Sequence, residues 1–457
     1  MFETLSAPAL LDAMCAAQRD ERSATARRLL AVGRFALRRL AELGDAHGNW
    51  CVDDWEAVAA EVGAELGISR QWASSQMHHG TTLIERLPKL GEVFATGEVD
   101  YRIVDIAISR TQLVVDEGVL AQIDRMLARQ VRRWNKLSRR KITERVDWMV
   151  IELDPEAVRV ARESDADRHI EVTPGQNGTA EVYGTLRAAA AVALDQRLDE
   201  LAATVCADDP RTKGQRRADA VDVLTAGGTA MPCECGREDC PADPAGVARS
   251  KVVIHVLADA ATVEGHGAAP ALLAGYGTVP AEAVRRLTPT ATVRALHAPT
   301  GEDRYRPSAK LADFVRCRDL SCRFPGCDEP AERCDVDHTV PYPAGPTHPS
   351  NLKAYCRTHH LLKTFFAGPG GWSERQSPDG TVTWTSPTGR RYVTVPDGAL
   401  FFPQLAQPTG HVPAGSAAGG GLAMPTRRRT RTQEREYRIE WERGLNRARY
   451  AADPPPF

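Results

Sequence analysis

No stretch of this sequence approaches the ~18 apolar residues that a membrane-crossing helix needs, so no spanning segment is expected. The opening residues, MFETLSAPALLDAMCAAQRDER, lack a basic start, a long apolar run and a small-residue cleavage site. No secretory leader is expected, and the chain reads as cytoplasmic with no membrane partner. A charge imbalance is also missing: 58 Lys and Arg stand against 60 Asp and Glu, leaving −2 at pH 7. Any affinity for nucleic acid must come from local patches. No internal repeat is evident. What is present is 42% apolar and 26% charged residues in a chain of 457, the balance of a folded protein too long for one core.

The patterning points to a mainly α N-terminal domain over 1–150, then a small α+β region over 151–303. A metal-bearing module with trailing strands follows over 304–398, a flexible linker over 399–425 and an Arg-rich tail over 426–457. Ala24–Leu43 places apolar residues at three- and four-residue steps, with arginines on the other face. Ala57–Leu66, the Gly67-Ile68 turn and the Ser69 cap fit either a helix-turn-helix or a plain helical hairpin. Arg125–Arg145 holds nine Lys or Arg and one acid, Glu144, and suits either a phosphate backbone or a solvated face. The tail from Thr426 to Tyr450, with nine arginines and four glutamates, leaves the same choice.

Further along, His169–Thr173 and Thr179–Leu186 flank a turn signal, Pro174–Gly178, and predict a hairpin. An Ala- and Leu-rich helix is expected to about Val205, and strands at Lys251–Leu257 and Ala291–Leu296. Gly371–Val395 reads as short strands with turns at Asp379-Gly380 and Pro387–Gly389.

The 11 cysteines cluster. Cys15, Cys51 and Cys206 read as helix-packing thiols. Cys233, Cys235 and Cys240 suit either a zinc site completed by a distant His255 or His266, or a free-thiol loop. The dense group is CRDLSCRFPGCDEPAERCDVDHTVPYPAGPTHPSNLKAYCRTHHLLKTF, beginning at Cys317. Cys322-x4-Cys327 and Cys356-x2-His359 are two close pairs about 30 residues apart, the spacing of a tetrahedral zinc site with three sulfurs and one nitrogen. Phe324-Pro325-Gly326 supplies the turn between the first pair. Cys317 and Cys334 are left over.

Asp337-His338, Asn351 and His360 form an overlapping pattern. On a helix His360 points about 100° away from His359, so one helix can serve two sites. A carboxylate with one imidazole suits Mg2+ or Mn2+, and an imidazole left off the metal can deprotonate water. Cys356 and His360, four apart, could also share a face, which leaves the division of the two histidines open. Asn351 could equally be a helix cap.

These residues resemble the HNH endonuclease family, the ββα-metal fold, through Asp337-His338-Thr339-Val340-Pro341, Gly345, Asn351-Leu352 and Cys356-Arg-Thr-His359-His360-Leu-Leu-Lys363. The resemblance implies a zinc-stabilised module that cleaves phosphodiester bonds, with DNA the expected nucleic acid. In it His338 is the general base, Asp337 and His360 hold a catalytic Mg2+ or Mn2+, and Asn351 steadies the loop. Cys322, Cys327, Cys356 and His359 hold structural Zn2+. One departure is His359, where that subgroup often has a second Cys. Lys363, Arg357 and Arg323 are candidate phosphate contacts, with a solvated surface as the plain alternative. Tyr305-Arg306-Pro307-Ser308, Phe314-Val315-Arg316 and Trp384–Gly389 also resemble a large actinobacterial group, a repeated gene family in mycobacteria, with a mostly helical domain of unknown function ahead of an HNH module. The competing expectation is a DNA-binding or mobile-element-associated protein whose HNH module is catalytically silent. A redox or metal-storage protein would explain the cysteines but not the Asp-His pair.

Overall fold

The structure, a computed structural model, describes residues 2–44, 46–158, 168–175, 178–242, 255–274, 277–410 and 423–452. About half of the chain is helix, and the sheets are small. Two compact units result, one joining Met1–Val160 with Leu296–Phe457, the other spanning Ala161–Ala295. Among the described residues no helix is long and apolar enough to cross a membrane.

The first unit opens with α1 (Ala7–Leu43), α2 (Asp54–Leu66), α3 (Arg70–Glu85), α4 (Pro88–Ala95), α5 (Tyr101–Arg110), α6 (Glu117–Gln130) and α7 (Arg139–Leu153). Several begin where a short polar side chain takes an orphaned backbone N–H: Asp53 accepts from Glu56 ahead of α2, Ser69 from Trp72 ahead of α3. Gly67, at φ 63°, closes α2 in the left-handed conformation that suits glycine. Leu29, Leu83, Phe94, Ile103, Ile123, Trp134 and Val146 lie in the shared core.

Helix α3 lies against α1 at close range. A Cβ on Gly80 would stand 2.2 Å from the Leu29 carbonyl oxygen, so only glycine permits this approach. With Ala73, Gln76, Met77 and Leu83 also buried, α2 and α3 form a hairpin packed into the bundle. The basic run is split between α6 and α7, and its Arg132 and Arg139 pair with Glu98 and Asp105 at 2.6 and 3.2 Å.

In the second unit β1 (His169–Pro174) pairs antiparallel with β2 (Ala180–Thr185); residues 176–177 of the expected turn lie outside the described ones. Helices α8 (Ala188–Ala202) and α9 (Lys213–Ala226) follow and pack on each other. Then come β3 (Val256–Leu257), α10 (Ala260–Val263), β4 (Ala271–Leu273), β5 (Gly277–Val279) and α11 (Ala281–Leu287), with β4 central in a three-stranded antiparallel sheet. Of the strand expected at Lys251–Leu257, residues 251–254 lie outside the described ones. Ala291–Leu296 is not a strand. Residues 291–295 are all exposed, so no buried face exists to specify one.

The first unit resumes with α12 (Ala309–Asp319), β6 (Asp335–His338), β7 (Leu352–Tyr355), α13 (Arg357–Phe365), β8 (Ser373–Gln376), β9 (Val382–Thr385), β10 (Arg391–Thr394), α14 (Gly398–Phe401) and α15 (Arg431–Ala452). β6 and β7 pair antiparallel, with Asp337 opposite Lys353 and His338 opposite Leu352, and α13 follows directly. Gly380 and Gly389, both at positive φ, turn the expected strands β8–β10 into an antiparallel sheet. Phe324, Tyr355, Leu362, Trp372 and Trp384 share one core with Val52, Ala57, Ala60 and Ala64 around α2. A buried Asp319 organises this region: it accepts from Arg318 Nε at 2.8 Å and from the Ala354 N–H at 2.8 Å.

The linker expected over 399–425 needs correction at both ends, because apolar residues anchor it. Phe402 and Leu405 are buried before it, and Met424 after it; residues 411–422 lie outside the described ones. The Arg-rich tail is helix α15, docked by ion pairs. Arg431 meets Asp53 and Glu56 at 3.0 and 2.7 Å, and Arg443 meets Asp154 at 2.7 Å.

Candidate metal centre

Cys322 and Cys327 sit at the two ends of a tight loop. The Cys322 N–H donates to Glu329 O at 2.8 Å, and the Cys327 N–H to Phe324 O at 3.1 Å. Gly326 takes φ 76° in this loop, and a Cβ there would stand 2.6 Å from the Ile68 carbonyl oxygen. The loop therefore packs directly on the turn after α2. From the other side, Cys356 is the N-cap residue of α13 and His359 lies in its first turn.

The ligand atoms of Cys322, Cys327, Cys356 and His359 all lie within 4.8 Å of one another. His359 Nδ1 is 3.5 Å from Cys322 Sγ and 3.2 Å from Cys356 Sγ, and its ring stacks on Phe324 at 4.0 Å. Three thiols and an imidazole in this arrangement can bind a metal ion such as zinc. Burial and the neighbouring thiols push the Cys322 pKa well up, whereas hydrogen bonds from Cys322 and Cys327 hold Cys356 low. A dication would let all three thiols ionise together. This geometry divides the histidines: His359 faces the thiols, and His360 turns to a different set.

His360 Nε2 lies 3.4 Å from Asp337 Oδ1, and its Nδ1 lies 2.8 Å from Asp335 Oδ2. Asp335 and Asp337, two apart on β6, share a face. Hydrogen bonding to Asp337 raises the His360 pKa against the cost of burial. Asp337 is half-buried, and its desolvation alone would raise its pKa, but His360, Lys363 and Lys353 together hold it well below the usual carboxylate range.

His338 is the next residue along the strand and turns to the opposite face. The Asp337 carboxylate and the Lys363 and Lys353 ammoniums nonetheless act on its ring through space, so His338 stays beside the same charged group. The His338 ring stacks on Tyr305 at 5.6 Å, and its Nε2 lies 2.8 Å from Thr347 Oγ1. The Thr347 hydroxyl donates its proton to Arg304 O, so it accepts from His338. That assigns the proton to Nε2 and leaves the lone pair on Nδ1. Burial lowers the His338 pKa, keeping the ring neutral near pH 7.

Asn351 is no helix cap here. Its side chain accepts from the Val340 N–H at 2.9 Å and donates to Val340 O and Pro346 O, each at 2.9 Å. It pins the loop after β6 at both ends, and Gly345 leaves room for it: a Cβ there would lie 2.7 Å from Asn351 Nδ2.

Two of the three expected phosphate contacts are corrected. Arg323 is buried, 2% exposed, and spends its guanidinium on backbone carbonyls, including Thr394 O at 2.5 Å. Lys363 turns inward, bonded to Asp337 and to the His338 carbonyl and 3.2 Å from Glu374. Arg357 stays exposed, 3.4 Å from Asp335.

Asp335, Thr347, Tyr305, Lys353 and Glu374 also join the site, none of them a site residue expected from the sequence. Asp335 had a signal, an acid two residues before Asp337 in a strand. Lys353 and Glu374 had none, because a lysine and a glutamate on short strands ordinarily face water. Instead Lys353 is 0% exposed, 2.9 Å from Glu374, and burial lowers its pKa to about 8. In the second unit the expected partner of Cys233, Cys235 and Cys240 is also corrected: Cys206 joins them, not His255 or His266. Cys15 and Cys51 are exposed rather than packed.

Replacing Cys356 by Ser is expected to abolish metal binding at this cluster and to unfold the segment around it, because small metal sites supply folding energy. Elemental analysis beside limited proteolysis of the full chain checks this. Wild-type metal content in the mutant would refute it.

Residues 16–319 match the family described as "Domain of unknown function (DUF222)", a stretch that ends three residues before Cys322. Two proteins of Mycobacterium tuberculosis are similar over nearly the full length. The uncharacterized protein Rv3776 is 43% identical across 98% of this chain and 91% of its own length. The uncharacterized protein Rv2100 is 42% identical across 98% and 90%. No solved structure matches. On the family match and these full-length similarities, the chain belongs to the DUF222 family.

Proposed function

We propose that the segment from Cys317 to Phe366 is a zinc-stabilised HNH module of the ββα-metal fold and that the protein is an endonuclease acting on nucleic acid, DNA in the first instance. The observation that carries this reading is the division of neighbouring histidines on α13, His359 with three thiols and His360 with Asp337. The β6–β7–α13 succession and the Asn351 clamp support it.

Asp337 and His360 offer one carboxylate and one imidazole, a donor set that suits Mg2+ or Mn2+. An ion bound there would supply positive charge to a nonbridging phosphate oxygen and to the leaving 3′-oxygen. Asp335 holds the His360 ring with Nε2 toward Asp337, as carboxylate partners of ligating histidines do. His338 acts as general base through Nδ1, taking one proton from the water that attacks phosphorus. The P–O3′ bond breaks and the leaving 3′-oxygen takes a proton from solvent water, leaving a 5′-phosphate and a 3′-hydroxyl. Thr347 keeps the base in the required tautomer, and burial keeps it neutral.

One observation favours the second reading, a nucleic-acid-binding protein with a silent module. The Lys363 ammonium is bonded to Asp337, so a cation already sits on that carboxylate. Incubating the full chain with plasmid DNA and Mg2+ or Mn2+ separates the two readings. Cleavage is expected, and His338→Ala should reduce its rate by on the order of 10²–10⁴. Equal cleavage by wild type and mutant would remove the mechanism, and binding without cleavage would favour the silent module.

Protonation of His338 abolishes the base, so the rate should fall as pH drops through a pKa below the ordinary imidazole value of about 6.5. An acidic limb centred above that value would show that His338 is not the neutral base. Thr347→Val should slow cleavage less than His338→Ala does, with zinc content unchanged. Wild-type rates in that mutant would show that the tautomer is set elsewhere.

A further inference from the structure

The second unit carries its own group of thiols. Cys206 follows α8, and Cys233, Cys235 and Cys240 lie in the irregular segment after α9. Their four sulfurs all lie within 4.8 Å of one another. Cys206 Sγ and Cys233 Sγ are 3.5 Å apart, well beyond the ~2.05 Å of a disulfide, and all four cysteines are free.

The backbone around them is held in place by groups that are not thiols. The buried Asp209 carboxylate accepts from Arg211 Nη2 at 2.8 Å and from the Glu234 N–H at 3.0 Å. Arg211 donates onward to Pro232 O at 2.8 Å, and the Met231 N–H donates to Thr204 Oγ1 at 2.9 Å. These bonds tie the flank of Cys206 to the flank of Cys233. Gly236, at φ 70°, makes the turn that carries the chain toward Cys240.

The apolar core beneath is small. Leu201, Val205, Ala220, Val223 and Met231 are its buried members, with Cys233 packed against them. A helix pair with so few buried side chains, followed by a segment without regular structure, gains little from hydrophobic burial alone. Small folds of this kind draw stability from a metal.

We propose that Cys206, Cys233, Cys235 and Cys240 hold a structural zinc ion that ties the end of α8 to the segment after α9. Four thiolates close the tetrahedron and leave no position for water or substrate, so the ion stabilises and does not catalyse. Zinc suits four soft sulfur donors. The guanidinium of Arg237, held by Asp208 at 2.5 Å and Asp239 at 2.9 Å, lies close enough to Cys206 and Cys235 to offset part of the negative charge. This site is independent of the nuclease reading and stands whether or not the protein cleaves DNA.

The test is metal content of the full-length chain purified under reducing conditions. Two zinc ions per chain are expected, one in Cys206→Ser, one in Cys356→Ser and none in the double mutant. Because Cys206→Ser could misfold the unit, the wild-type protein provides a second readout. With metal bound, Cys206, Cys233, Cys235 and Cys240 should resist iodoacetamide while the exposed Cys15 and Cys51 react, and a chelator should end that protection. Cobalt substitution should add a four-thiolate absorption spectrum that Cys206→Ser lacks. A single zinc per chain with unchanged content in Cys206→Ser would overturn the proposal. So would rapid alkylation of the four thiols, or a Cys206–Cys233 disulfide in peptide maps.

Discussion

Two neighbouring imidazoles at the start of α13 must face different ways, and the local architecture is built around that requirement. Helical geometry separates adjacent side chains by about 100°, so His359 and His360 cannot serve one ion without breaking the helix. His359 is fixed by its stack on Phe324 and by the thiols of Cys322 and Cys356. His360 is fixed by Asp335 and Asp337. Each histidine orients the helix for the other. A metal at the thiol cluster would therefore position His360 as a side effect of folding the module.

Beside this helix lies a network of buried charge. Lys353 is fully buried against Glu374, Glu374 accepts from the Tyr355 hydroxyl, and Lys363 joins Glu374 to Asp337. Burying charges is costly unless each has partners, and removing one partner leaves another charge stranded. Here the charges are arranged so that Asp337 stays ionised. Lys363 also fixes the end of β6, since the same ammonium binds the His338 carbonyl.

The helical region is not a detachable neighbour of the thiol cluster. The Cys322–Cys327 loop meets the turn after α2 at Gly326, and Val52, Ala57, Ala60 and Ala64 enter the same core as Trp372 and Trp384. Helix α15 returns to Asp53 and Glu56 at the start of α2. Arginines that looked available for phosphate in the sequence, Arg431 and Arg443, are committed to carboxylates of the chain itself. Charge content read along a chain counts residues but not the acids that folding brings against them.

Local order was legible in the sequence wherever the signal was local. Ser69 and Gly67 mark helix boundaries because caps act over three or four residues. The Cys322-x4-Cys327 and Cys356-x2-His359 spacings pointed to one thiol cluster, because ligand pairs carry their own turn geometry. The outcome at His359 and His360 needed tertiary structure, since spacings of three and four both share a helix face. Cys206 was beyond reach, because 26 residues separate it from Cys233 and only the packing of α8 on α9 brings them together. Burial of Arg323, Lys353 and Lys363 was equally hidden: a charged side chain is expected in water until the fold supplies carbonyls and carboxylates to receive it. Local patterning carried the donor types and most of the elements, but not Ala291–Leu296, where no buried face specifies a strand. Which donors meet, and which charges leave the surface, was decided only by long-range packing.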